Sequence, residues 1–459
     1  VTTVPGSRIL GALAAAAALT ITPLPATAAP TEGLADALAQ AVTGPDTYRH
    51  LQVLQAIADA NGGVRAVHTP GLAATEDYLE TTLATAGYHP IVQDVPYTRF
   101  AVVAEDTRIV DGNTPLRTMV MDESPALSDV TAPAVPGPAT GCQIGDYNGL
   151  NAAGAVVVLA AASCGVTQQV TAAAQAGARA VLLNSVTPDA DTVQRLHWFG
   201  SAPPPIPLAS ISRNQAESLI GPHPQPVALR MNWQGHDEHG TTHTLIAETR
   251  GGSADHVAIV GAHLDSAADG PGINDDGSAI AATLQTAIQL APYQDGVSNR
   301  VRFIWWGAAE LADAGAEHYV AQLSPTDRQS IQAYLDATTI ASPNFVRYVM
   351  SGPGVLSQPF DDYLTAQRLP FEHAGTDVVA SDYEPFAAAG ITVGGIFAGS
   401  LGVKTDAQAT VYGGTAGQSY DPCDRQPCDR IDRIDTTALD QNARALAYAV
   451  GWTAARNFP

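Results

Sequence analysis

HVAIVGAHLDSAADGPGINDDGSAIAATLQTAIQL (residues 256–290) and RVRFIWWGAAEL (residues 300–311) are the stretches that decide the fold. His256 to Gly261 is a short, continuous apolar run, the pattern of a strand buried on both faces. Ser278 to Leu290 carries apolar residues at helical spacing, and Arg300 to Trp306 reads as a second buried strand. Further along, Ile391 to Phe397 repeats the strand pattern and residues 437–456 the helical one. Strands alternating with helices predict an α/β fold with a mostly parallel sheet flanked by helices.

In such sheets, sites form beyond the carboxyl ends of the strands. His263 and Asp265 follow the first strand, Asp275 lies just before the helix, and Glu310 follows the tryptophan-rich strand. An imidazole with carboxylates on adjacent strand ends is a donor set suited to zinc, as one ion or two. Structural roles are open to the same residues. His263 can serve as a hydrogen-bonded strand-end residue, Asp275 can cap the helix near Ser278, and Glu310 can favour a helix dipole.

Upstream, residues 47–61 place Leu51, Leu54, Ile57 and Ala58 on one helical face, and Gly62-Gly63 ends that helix. A second helix is expected over 74–86 with Gly87 as its stop, then a strand from Tyr88 to Val102. The stretch SPALSDVTAPAVPGP (124–138) is rich in Pro, Ser and Ala and marks a boundary. Strands over 155–160, 180–184 and 206–210, with helices over 168–176 and 213–220, then make a small α/β unit of their own. The division expected is a leader over 1–29, a first part of the main domain over 30–125, an insert over 126–235, and the remainder over 236–459.

A length of 459 residues suits two or three domains, and 46% hydrophobic with 15% charged residues suits a globular core. The formal net charge is −23 and Lys404 is the single lysine, so no basic cluster offers a footprint for nucleic acid or an anionic membrane. Arg8, the apolar run Ile9–Ile21 and the small-residue stretch Ala26-Thr27-Ala28 read as a secretory signal cleaved near Ala29, with no membrane anchor expected. An exported chain favours disulfides among Cys142, Cys164, Cys423 and Cys428. Four cysteines allow three pairings, and closeness in sequence favours Cys423 with Cys428 and Cys142 with Cys164.

Residues 256–320 resemble the co-catalytic (di-zinc) exopeptidases, above all the secreted bacterial aminopeptidases. The resemblance is carried by His263-Leu264-Asp265-Ser266, Asn274-Asp275-Asp276-Gly277 and Trp306-Gly307-Ala308-Ala309-Glu310-Leu311. It continues in HLQVLQAIADANGGVRAVHTPG (50–71), SDYEPFAAAGITVGGIFAG (381–399) and YDPCDRQPCD (420–429). The insert is similar to a protease-associated domain through Gly141-Cys142, Asp146 to Leu150, Val156 to Leu159, Ser163-Cys164 and Ala174 to Leu183. This likeness implies an aminopeptidase, a zinc hydrolase acting on peptides with a free N-terminus.

Carried over position by position, the resemblance implies His263, Asp275 (the bridge) and Glu310 as metal ligands, with Asp265 orienting His263. Other expected groups are replaced. The general-base position is Ala309, a metal-ligand Asp position is Thr338, the C-terminal His position is Arg425, and the oxyanion Tyr position is Asp424. Asp336 and Asp424 are the candidate substitute ligands. The guanidinium of Arg425 is expected to pair with Asp275 and Glu310 in place of the second zinc. Two readings follow. One is a peptidase-dead or strongly impaired homologue that binds a peptide or a protein. The other is an active metal-dependent aminopeptidase with a rearranged, single-zinc site.

Overall fold

The computed structural model describes residues 33–184, 190–193, 198, 202–223, 225–375 and 381–456. The expected leader over 1–29 lies outside the described residues. The strands, in chain order, are β1 Ile91–Ile109, β2 Thr114–Pro115, β3 Met119–Val120, β4 Leu127–Pro136, β5 Val156–Leu159, β6 Ala180–Asn184 and β7 Leu208–Ile211. They continue with β8 Ala228–Glu248, β9 Ser253–His263, β10 Asn299–Trp306, β11 Ile331–Thr338, β12 Tyr348–Met350, β13 Glu372–Ala374 and β14 Val393–Phe397. The sheet runs β13-β12-β14-β11-β9-β10-β8-β4-β5-β6-β7-β3, with β1 paired to β8 and β2 off the path.

Its centre is parallel: β9 pairs with β10 and β11, and β11 with β14. The helix Gly277–Leu290, almost wholly buried, packs on one face with Thr436–Ala455. The apolar spacing seen in the sequence explains the burial: Ile280, Leu284 and Ala287 join Leu54, Leu79 and Leu446 in one core. The opposite face buries Trp306, Tyr334, Phe386 and Phe397 around Ile259 and Ile304. Of the three helices before β1, Thr43 and Thr69 cap the second and third, Gly44–Ala60 and Pro70–Thr85, each with a proline in the first turn.

The insert has its own parallel strands, β4-β5-β6-β7, and its own two small cores. It joins the rest through β8. This strand pairs antiparallel with β1 from Leu229 to Ile246 and passes from insert to main sheet without a break, so residues 235 and 236 lie inside one continuous strand. Likewise Met119–Val120, before residue 126, pair with β7 of the insert. β1 runs to Ile109 rather than Val102, because β8 offers it a partner along that whole length. Among the described residues, no helix is long and apolar enough to cross a membrane.

Candidate metal centre

His263 is the last residue of β9. Its Nδ1 lies 2.9 Å from the backbone carbonyl of Asp265, so the ring donates there and turns Nε2 toward Asp275 Oδ1, 3.1 Å away. The carboxylate of Asp265 does a different job from the one the resemblance implies. It accepts from the amides of Ala309 (3.0 Å) and Glu310 (3.2 Å), so the loop after β10 is fastened to the loop after β9. The orienting group on His263 is the Asp265 backbone; the side chain is already committed to those two amides.

Asp276 was not singled out by the sequence reasoning, although it stands beside Asp275 in the Asn-Asp-Asp-Gly run. It is fully buried, and its two oxygens accept from the amides of His263 (3.0 Å) and Thr339 (3.0 Å). It is therefore the pin that joins the ends of β9 and β11. The ligand loop is also tied to the cysteine loop. Asp429 accepts from the amides of Asn274 (2.8 Å) and Asp275 (3.1 Å), and Asp421 accepts from Asn274 Nδ2 (2.6 Å). Arg65, buried, donates to the carbonyls of Leu264 (2.9 Å), Pro271 (2.9 Å) and Gly272 (2.6 Å) and so shapes the stretch between the motifs.

Cys423 and Cys428 are joined with their Cα atoms 5.2 Å apart, and Cys142 and Cys164 with theirs 6.0 Å apart. The short cysteine loop carries Asp424 and Arg425 into the site. Arg425 Nε lies 3.2 Å from Glu310 Oε2 and 3.8 Å from Asp275 Oδ2. Both carboxylates are about nine-tenths buried, while the arginine side chain is 43% exposed, so the pair is sealed from beneath and open above. Glu310, then Asp275 and Asp424, push the guanidinium pKa up against the effect of burial. Burial alone would raise the Asp275 pKa, yet the hydrogen bond and charge of His263, with Arg425 and Asp424, hold it well below the usual range. Asp424 goes the other way. Burial and the charge of Asp275 keep its proton on, so it donates to Asp275 while accepting from Ser400 Oγ (2.7 Å).

The two candidate substitute ligands do not close a donor set. Among the described residues, the His, Cys, Asp and Glu atoms that converge within 4.8 Å are those of His263, Asp275 and Asp276. Asp276 is engaged by backbone amides, and Asp424 by Asp275 and Ser400. Asp336 sits in β11 opposite Gly261 and Gly395, two residues deeper than Thr338, where burial pushes its carboxyl up to about 7. Ala309 presents a methyl group at the base position.

Residues 244–450 match the model for peptidase family M28, and residues 130–219 match the PA domain. The chain is 33% identical to an aminopeptidase of Pseudomonas aeruginosa over 444 residues, covering 90% of this chain and 82% of that one. It is 36% identical to the probable lipoprotein aminopeptidase LpqL of Mycobacterium tuberculosis, covering 90% and 86%. With a buried parallel sheet, a site at its carboxyl edge and an inserted PA domain, the chain belongs to peptidase family M28. In structure it superposes on BSAP, a zinc aminopeptidase from Bacillus subtilis, with a TM-score of 0.70 at 19% identity, over 89% of this chain and 94% of that one. It also superposes on a peptidase M28 precursor from Shewanella amazonensis with a TM-score of 0.73 at 18% identity, over 92% and 96%. These two likenesses speak for the fold.

The donors present can be tested against a pair of zinc ions. His263 Nε2 and Asp275 Oδ1, 3.1 Å apart, could share one ion, but among the described residues the further His, Cys, Asp or Glu group that converges there is Asp276, whose oxygens are held by backbone amides. At the other position, Asp275 Oδ2 and Glu310 Oε2 face a guanidinium that has no lone pair to give. This residue set does not fit a di-zinc centre.

Proposed function

We propose that this member of family M28 has lost, or very largely lost, peptidase chemistry, and that it is an exported protein acting by binding a peptide or a protein. One observation carries the reading: the guanidinium of Arg425 stands between Asp275 and Glu310, and supplies the positive charge that a second metal would. The base position supports it. Alanine cannot take a proton from water, and a positioned general base typically contributes about 10² to 10⁴-fold. Peptide is the ligand class because the relatives named above are aminopeptidases. Export rests on the leader-like N-terminus and the two cysteine pairs.

The test is the zinc content of the dialysed protein after resupply with zinc, beside the His263→Ala variant, together with hydrolysis of aminoacyl anilides. The expected result is no retained zinc and no hydrolysis above the variant's background. Zinc that is retained by the wild type, lost in His263→Ala and accompanied by hydrolysis would establish the single-zinc aminopeptidase instead.

A further inference from the structure

β8 pairs with β1 along one edge from Leu229 to Ile246. Its other edge is shared by two strands. β4 takes the stretch from Ala228 to Trp233, and β10 takes that from Leu245 to Glu248. Between them, among the described residues, no strand covers the edge.

The backbone phase of that gap can be worked out. In an antiparallel pair, alternate residues turn N–H and C=O toward the partner and the others turn them away. Val110 N–H bonds the Ala228 carbonyl, which puts the even-numbered residues of β8 toward β1. Thr241 faces Pro96, a residue with no N–H to give, which agrees with that phase. Ala134 N–H reaches the Val227 carbonyl on the far side, where the odd-numbered residues point. Gly235, Asp237, His239 and Thr241 therefore turn their N–H and C=O groups outward, where no strand among the described residues meets them, and His243 ends the row with its carbonyl close to Gly307.

The row thus meets the loop after β10, whose Ala309 and Glu310 amides bond Asp265. A cavity of about 590 Å³ adjoins it, lined by His68, Tyr97 and residues 236–241. Glu238 is paired with Arg99, whereas Asp237 is exposed beside the free edge on a chain of net charge −23.

We propose that this open stretch of β8 is a docking edge for an extended peptide bearing basic side chains, added antiparallel to β8 in the line left between β10 and β4. The assignment rests on the peptide-binding reading above and says where the peptide lies. β4 and β10 both pair antiparallel with this edge, so a peptide in the gap continues their geometry. Asp237, exposed beside the edge, and the net charge of −23 favour lysine or arginine on it.

The probe is a ten-residue peptide of alternating threonine and arginine, acetylated and amidated, titrated calorimetrically into the full chain. On binding, the amides of Asp237, His239 and Thr241 are expected to gain hydrogen-exchange protection. Thr241→Pro removes one outward N–H, which proline tolerates at an edge, and should weaken binding about tenfold or more with little change in thermal midpoint. Thr241→Val keeps the N–H and should bind like the wild type. No binding, equal binding by Thr241→Pro, or protection elsewhere than 235–243 overturns the assignment. So does binding that requires a free peptide N-terminus, which would seat the peptide in the metal centre instead. The protection footprint on the wild type decides the matter even if the proline variant folds poorly. The zinc and anilide measurements do not involve this edge, so failure of either idea is read separately.

Discussion

Replacing Arg425 by methionine keeps most of the side-chain length and removes the charge between Asp275 and Glu310. The separations of 3.8 and 3.2 Å give gross Coulomb attractions of about 4 and 5 kcal/mol at an effective dielectric of about 20. Two terms reduce that. The arginine is 43% exposed, so solvent screens roughly half of it, and its own desolvation opposes pairing. What remains on removal is chiefly the cost of Glu310 left buried without its cation, Asp275 keeping His263, about 2 kcal/mol net. Urea unfolding at pH 7 should therefore show the Arg425→Met variant less stable by about that amount. The deficit should depend on pH with a definite sign. Arg425 lowers the pKa of Asp275 and of Glu310, although burial leaves that of Glu310 above its ordinary value, so the attraction it supplies is full where both are ionised and is lost as falling pH protonates them. The two proteins should converge in strong acid. Equal midpoints at pH 7, or a deficit of the same size at pH 3, would refute the view that this guanidinium compensates the site.

Asp336 makes an opposite prediction: its folded pKa of about 7 lies above the unfolded value, so its contribution is present below about pH 4 and is lost as pH rises through 7. Asp336→Asn should therefore raise the thermal midpoint relative to wild type at pH 8, by up to about 3 kcal/mol in stability, and much less at pH 5; a variant less stable at pH 8 would refute this. His50, with Nδ1 2.6 Å from Tyr78 Oη and Nε2 3.0 Å from Gln285 Oε1, is held neutral mainly by burial, which lowers its pKa. Below about pH 6.5 the unfolded chain gains a proton at His50 that the folded one resists, so this residue's own contribution falls from pH 7 to 5, and His50→Gln should gain stability relative to wild type across that range in thermal melts. Restoring Ala309→Glu, Thr338→Asp and Arg425→His together should give a protein that retains zinc and hydrolyses aminoacyl anilides, while each single change gives little, because such groups act as a unit.

The centre of the fold was legible because its strands are short apolar runs and its helices keep a regular period. His256 to Gly261, Ser278 to Leu290 and Arg300 to Trp306 all form the elements their patterns imply. The long strand β8 was not read, since Gln234 to Thr244 is a run of polar and histidine residues with glycines. Such a run does not alternate, and its strand character comes from pairing with β1 rather than from burial. The exchange of roles around Asp265 was equally invisible: sequence spacing brings a carboxylate near His263 but does not say whether its oxygens meet the ring or the amides of another loop. Asp276 was passed over for a related reason. Two adjacent aspartates look alike in sequence, yet one side chain meets His263 and Arg425 and the other the backbone of β9 and β11.

The substitutions are coherent as a set once charge is considered. A site with two dications tolerates several buried carboxylates; without the ions, each carboxylate must gain a partner, take up a proton or be lost. All three outcomes occur here. Positions 309 and 338 carry no carboxylate, Asp424 keeps its proton and donates to Asp275, and Arg425 pairs with Glu310 and Asp275. The supporting frame is intact throughout: Asp265, Asp276 and Asp429 still fasten the loops through backbone amides. A peptidase merely damaged at one position would leave unpaired charge at its centre. In this chain Asp275 is held by His263, Asp424 and Arg425 together, and Arg425 ties it to Glu310.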